Sequence, residues 1–131
     1  MTLSVTPPFR ADHVGSLLRP KTINDAFKSF QAGSISREEV VAIEDEAIKE
    51  VIKLQQEVGL EVVTDGEFRR ASYWSTFVER VNGLEISESR FTFHDGDGHE
   101  HKFTAPIVTS EVSRTVSIAG DEFKFLKANS V

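Results

Sequence analysis

Cysteine is absent from all 131 residues. Disulfides are therefore excluded, as are thiolate metal ligands supplied by this chain, and the absence is compatible with a cytoplasmic setting. Long apolar runs are lacking too. None approaches the roughly 20 residues needed to cross a bilayer, so no membrane partnership is expected. Met1 to Arg10 has no apolar core of the signal-peptide kind. Positive charge is scarce, with 15 Lys and Arg against 21 Asp and Glu and a net charge of -6. With no basic cluster interleaved with aromatics, nucleic acid is not an expected partner either. What remains is ordinary globular material, 39% hydrophobic and 27% charged, long enough for one domain with a core.

The chain is organised around Leu60 to Arg70. Leu60 to Thr64 is apolar and β-branched and reads as a short buried strand. Gly59 ends the helix before it and Gly66 permits a tight turn after it. Asp65, Glu67, Arg69 and Arg70 then crowd one loop. In parallel α/β sheets, ligands sit at the carboxyl ends of strands, where Glu67 falls. A solvated loop with local ion pairs is the competing reading.

Met1 to Pro8 reads as a loose arm and Phe9 to Val14 as a short strand broken by Gly15-Ser16. His13, Gly15 and Ser16 thus stand at a second strand end, although an isolated histidine is more often structural than catalytic. Thr22 is a plausible N-cap for a helix from Ile23 to Ala32, with Gly33 after it. Ser36 and Glu39 have capping-box spacing and open a longer helix reaching Val58. Val40, Ile43, Ala47, Val51, Leu54 and Val58 form its apolar stripe. Glu44, Glu46, Lys49, Glu50, Lys53 and Glu57 are assigned mostly to its wet side, so its acids are poor candidates for chemistry. Ala71 to Arg80 reads as a further helix, with Tyr73 or Trp74 near the charged turn.

Leu84 to Phe93 and His101 to Val108 flank a glycine-rich turn and predict a β-hairpin. His94, His99 and His101 with Asp95 and Asp97 raise a metal-site reading. A tight turn requires Asp and Gly in any case, and the calcium-loop pattern lacks its distal glutamate, so no metal ligand is assigned. Ala105 to Val116 reads as one more strand, and Gly120 and Asp121 open a last helix. The order is a βα series with an inserted hairpin, which implies parallel strands and right-handed crossovers.

Phe9-Arg10-Ala11-Asp12-His13-Val14-Gly15-Ser16-Leu17-Leu18-Arg19-Pro20, Gly33-Ser34-Ile35-Ser36, Gln55-Gln56-Glu57-Val58-Gly59-Leu60 and Thr64-Asp65-Gly66-Glu67-Phe68-Arg69-Arg70 resemble the cobalamin-independent methionine synthase family. The match is nearest the short, single-barrel members and continues to Asp121-Glu122-Phe123-Lys124-Phe125-Leu126-Lys127. The resemblance implies a (β/α)₈ TIM barrel with its site at the strand C-termini. Such a barrel takes about 250 residues, so residues 1–131 correspond to its N-terminal part. That is about the first three βα units with an inserted β-hairpin, and the chain is expected to be a fragment.

The family transfers a methyl group from methyltetrahydrofolate to homocysteine on a zinc ion held by His, Glu and Cys from later strands. The resemblance therefore implies no catalytic residue and no bound zinc in this chain. It assigns Gly15 and Ser16 to the substrate carboxylate and Glu67 to the amino group, with His13, Asp65 and Arg70 as further substrate-site candidates. Asp65 departs from the histidine that full synthases carry there. Two alternatives stand beside this reading. One is a thiol alkyltransferase of the epoxyalkane:coenzyme M transferase type. The other is a non-catalytic module that folds only as an oligomer or with a complementary chain; a homo-oligomer is expected in any case, because a partial barrel leaves strand edges open.

Overall fold

The computed structural model describes residues 11–131. The expected arm, Met1 to Pro8, lies outside them, as does the beginning of the expected strand Phe9 to Val14. The described elements are α1 (Lys21–Gln31), α2 (Arg37–Glu57), α3 (Ser75–Glu79), β1 (Asn82–His94), β2 (Glu100–Ser113) and α4 (Gly120–Asn129). This is a mixed α/β chain whose described strands form one antiparallel pair. The described residues fall into two compact units, 11–69 with 121–131 and Arg70–Gly120.

In the first unit α2 is the longest element, and its start follows the predicted chemistry. Ser36 Oγ accepts from the Glu39 amide at 3.2 Å, and Glu39 Oε2 accepts from the Ser36 amide at 2.8 Å. This capping box satisfies two amides that the first helical turn leaves without carbonyl partners. The helix ends as expected, with Val58 as C-cap and Gly59 at φ 85°. Its buried side is rotated from the predicted stripe. Val40, Glu44, Ala47, Ile48, Val51, Ile52 and Gln55 face inward, whereas Leu54 and Val58 are exposed. The assignment of Glu44 to the wet side is thus overturned: its residue is fully buried.

Helix α1 starts at Lys21 with Pro20 as N-cap and no side-chain cap. The Thr22 cap is not formed, because the fixed φ of Pro20 already suits the position before a first turn. Ile23, Ala47, Ile48, Val51, Ile52 and Phe68 form the core, and Leu17, Val63, Phe125 and Leu126 pack partly against it.

Leu60 to Thr64 runs between α2 and the charged turn without ladder pairing. The parallel βα series is not formed among the described residues. A parallel strand requires a neighbour brought in by a long crossover, and the run from Ala105 is instead the second arm of the hairpin.

In the second unit α3 is only a short stretch of the predicted helix, Ser75–Glu79, preceded by turns. Strands β1 and β2 pair from Asn82↔Ser113 to His94↔Glu100, with irregularities between Asn82 and Leu84 and between Glu88 and Thr92. At the first, Gly83 has φ 81°, and a Cβ there would meet the Glu111 carbonyl oxygen at 2.5 Å. The Phe93 and Phe103 rings lie 5.0 Å apart near the tip. Most side chains of both strands are exposed.

Candidate functional site

The site is built on the turn that follows α2. Gln55 lies on the buried side of that helix, and its side-chain amide behaves as a missing strand partner. Its Oε1 accepts from the Thr64 amide at 3.0 Å, and its Nε2 donates to the Thr64 carbonyl at 2.8 Å and to the Val51 carbonyl at 3.0 Å. The backbone is thereby fixed where, among the described residues, Leu60 to Thr64 has no neighbouring strand to fix it.

Two side chains then fold the turn. Thr64 Oγ1 accepts from the Gly66 amide at 3.2 Å, and Asp65 Oδ1 accepts from the Glu67 amide at 2.9 Å. These are local side-chain-to-backbone bonds of the kind that compete with regular structure. Gly66 and Glu67 both take left-handed conformations, φ 66° and 58°. Gly66 is required there, because a Cβ would lie 2.9 Å from the Phe68 ring and 3.3 Å from Leu17 Cβ. Glu67 is the one non-glycine residue with positive φ among the described residues. Such a conformation costs on the order of 1–3 kcal/mol, and its occurrence points toward function.

The second motif comes to this turn through the backbone. The Leu17 amide donates to the Gly66 carbonyl at 3.1 Å, and Arg19 Nη2 donates to the Glu67 carbonyl at 3.1 Å. Ser16 precedes Leu17 directly, so Gly15-Ser16 and Gly66-Glu67 are adjacent turns of one assembly. Gly15 has φ 88°, and Gly15 and Ser16 are exposed. His13 Nε2 donates to the Gly15 carbonyl at 2.9 Å, which sets its tautomer. Glu67 is half-buried, whereas Asp65 is buried with one oxygen engaged by the turn. Arg70 begins the second unit and is half-buried.

Arg69 anchors the turn to α2. Its Nη1 lies 3.5 Å from Glu44 Oε2, its Nη2 donates to Asp45 Oδ1, and its guanidinium carbon lies 4.9 Å from the Phe125 ring centroid. Arg37 adds a contact to Glu44 Oε2 at 3.8 Å. Burial pushes the Glu44 carboxyl above its ordinary range, against the pull of Arg37 and Arg69. Its Oε1 is buried without a hydrogen bond among the described residues.

Arg19, Gln55 and Glu44 were not identified from sequence as site-supporting residues. Gln55 and Glu44 had a signal, since both fall on the same phase of α2 as Val40, Ala47 and Val51. Arg19 had none beyond its motif.

Residues 9–127 match the family described as cobalamin-independent synthase, catalytic domain. The chain belongs to this family. Its likeness extends to the Bacillus subtilis protein YxjH, 38% identical over 121 residues, covering 91% of this chain and 31% of that protein. A Listeria monocytogenes protein assigned to the vitamin-B12-independent methionine synthases superposes with a TM-score of 0.72 at 37% identity, over 95% of this chain and 33% of that one. A B12-independent methionine synthase from Shewanella sp. W3-18-1, solved in complex with selenomethionine, gives 0.57 at 26% identity, over 74% and 28%. The chain therefore spans about a third of the length of these family members. Among the described residues, no helix is long and apolar enough to cross a membrane.

Proposed function

We propose that this chain forms the amino-acid end of the thiol-substrate pocket in a methyltransferase that makes methionine from homocysteine. In this reading residues 1–131 are the N-terminal portion of a (β/α)₈ barrel, and the methyl donor is a methyltetrahydrofolate. The observation that carries it is the pair of bonds Leu17 amide to Gly66 carbonyl and Arg19 to Glu67 carbonyl, which hold the Gly15-Ser16 and Glu67 turns side by side.

An α-amino acid presents a carboxylate and an ammonium on one carbon. Backbone amides and the hydroxyl at Gly15-Ser16 suit the first, and the Glu67 carboxylate suits the second. Glu67 is fixed at its backbone on both sides, by Asp65 and by Arg19. Its backbone is therefore set before the ligand arrives, which lowers the ordering cost of binding. Asp65 and Arg19 act here as positioning residues.

The family's zinc would supply a deprotonated, oriented thiol. The donors at this turn assembly do not make up a set for that ion. There is no cysteine, and Asp65 is buried and engaged in the turn. The role proposed for this chain is therefore recognition, and by itself it should not methylate homocysteine.

Titration of the isotope-labelled chain with L-methionine tests the reading by amide chemical shifts. Shifts should concentrate at Gly15, Ser16 and Glu67 and be lost in Glu67→Gln. A response to 2-mercaptoethanesulfonate in place of the amino acid would favour the coenzyme M type of acceptor and overturn the proposal, as would no response to either.

A further inference from the structure

The hairpin tip carries a group of side chains that the proposed function does not use. Asp95 directly follows β1, and the chain reverses through Gly96, Asp97 and Gly98. The Asp95 amide donates to the His99 carbonyl at 3.0 Å and closes the turn. One carboxylate oxygen of Asp95, Oδ1, accepts from the amides of Asp97 and His99 at 3.0 and 2.9 Å. The carboxylate is thereby oriented by the backbone, and Oδ2 is directed at two imidazoles. His99 Nδ1 lies 3.2 Å from it and His101 Nε2 lies 2.9 Å from it. The Asp95, Asp97 and His99 donor atoms all lie within 4.8 Å of one another.

We propose that Asp95, His99 and His101, with Asp97 as a fourth donor, form a surface site for a divalent transition cation of the zinc class. Three considerations carry it. First, His99, in the turn just before β2, and His101, on β2, both lie against the same Asp95 oxygen and so can reach one ion, while His94, paired with Glu100, belongs to the face opposite His101. Second, metal–nitrogen and metal–oxygen bonds of about 2.0–2.2 Å place neighbouring ligands about 2.9 Å apart in an octahedron and about 3.4 Å apart in a tetrahedron. The two observed nitrogen–oxygen separations, 3.2 and 2.9 Å, fall in that interval, so an ion can take the place of the imidazole protons once the rings turn their lone pairs off the nitrogen–oxygen lines. Third, the donor set is two imidazoles and two carboxylates. Imidazole selects zinc, nickel and copper over magnesium and calcium, which favour all-oxygen sites. The Asp95 orientation by backbone amides is the outer support that metal-ligand carboxylates usually have.

The ligands are exposed, so their replacement leaves the packing of the chain intact, and far-UV circular dichroism checks this. Calorimetric titration of the tag-free chain with zinc, in excess magnesium, should give one ion per chain. Substituting His99→Ala and His101→Ala together should weaken binding about tenfold or more, the scale on which disturbed ligand sets lose affinity. His94→Ala should leave it unchanged. With cobalt in place of zinc, visible absorption should appear and vanish in the same double variant. The proposal is overturned by absence of zinc binding, by binding that survives the double substitution, or by equal loss in His94→Ala.

Discussion

Glu44 is a carboxyl group enclosed by apolar neighbours and two arginines, and its behaviour sets how the charged turn is held. Burial raises its pKa above the ordinary value of 4.5. The consequence for stability has a definite sign. The folded chain takes up a proton on Glu44 at a pH where the unfolded chain does not. Its contribution to stability is therefore complete below 4.5 and is lost as the pH rises through the folded pKa. Wild-type protein should gain stability relative to Glu44→Gln as the pH is lowered from neutrality toward 4.5. Urea midpoints of both proteins at several pH values check this, because the remaining carboxyls cancel in the difference. A difference that stays flat or runs the other way would mean that the arginines outweigh burial. The same residue shows how sequence reading went astray. Charged residues on α2 were sorted by polarity, whereas Glu44 follows the apolar phase of Val40, Ala47 and Val51 and carries Arg69 as its partner 25 positions on. Partners that distant are not visible in a periodicity. Gly66 and Glu67 were legible as a turn, but the Arg19 and Leu17 bonds that join them to Gly15-Ser16 were not.

At the scale of elements, what could be read was what local chemistry decides. The capping box, the length of α2, the glycine beyond it and the hairpin with its Asp-Gly tip all depend on residues a few positions apart. Ser36→Ala removes the acceptor for the Glu39 amide and leaves that donor to water. It should cost about 1 kcal/mol, in line with other N-cap truncations, read as a lowered urea midpoint with unchanged slope. A loss much below that would show that the Glu39 side chain alone carries the cap. The parallel pairing expected for Leu60 to Thr64 and for the run from Ala105 is not found among the described residues, for the complementary reason. Leu60 to Thr64 has strand composition, but a ladder is a property of two segments, and here Gln55 supplies the only amide partners described for Thr64. The run from Ala105 was correctly extended and wrongly partnered, since its neighbour is β1 and not a strand beyond a crossover.

At the scale of the whole molecule, the described residues leave much apolar surface uncovered. Leu18 is 96% exposed, Val108 70% and Phe91 75%, and Val62 and Ile107 are exposed as well. A two-stranded hairpin is marginal in water without a third strand or a packed face, and among the described residues both β1 and β2 present an unpaired edge. Edges of this kind recruit other chains. Each large side chain covered on association contributes about 1.5–3 kcal/mol, against the roughly 5–15 kcal/mol that stabilise a typical domain. A second copy of the chain offers the same exposed strands, and pairing one edge with its equivalent across a two-fold axis satisfies both at once. The chain should therefore self-associate at low micromolar concentration, with the contact centred on the hairpin from Leu84 to Val108. Sedimentation equilibrium measures this directly, and replacing Phe91 and Phe93 by serine should shift the population toward monomer. A compact monomer that unfolds cooperatively at that concentration would show that the chain tolerates its open edges unaided. The surface would then need another account.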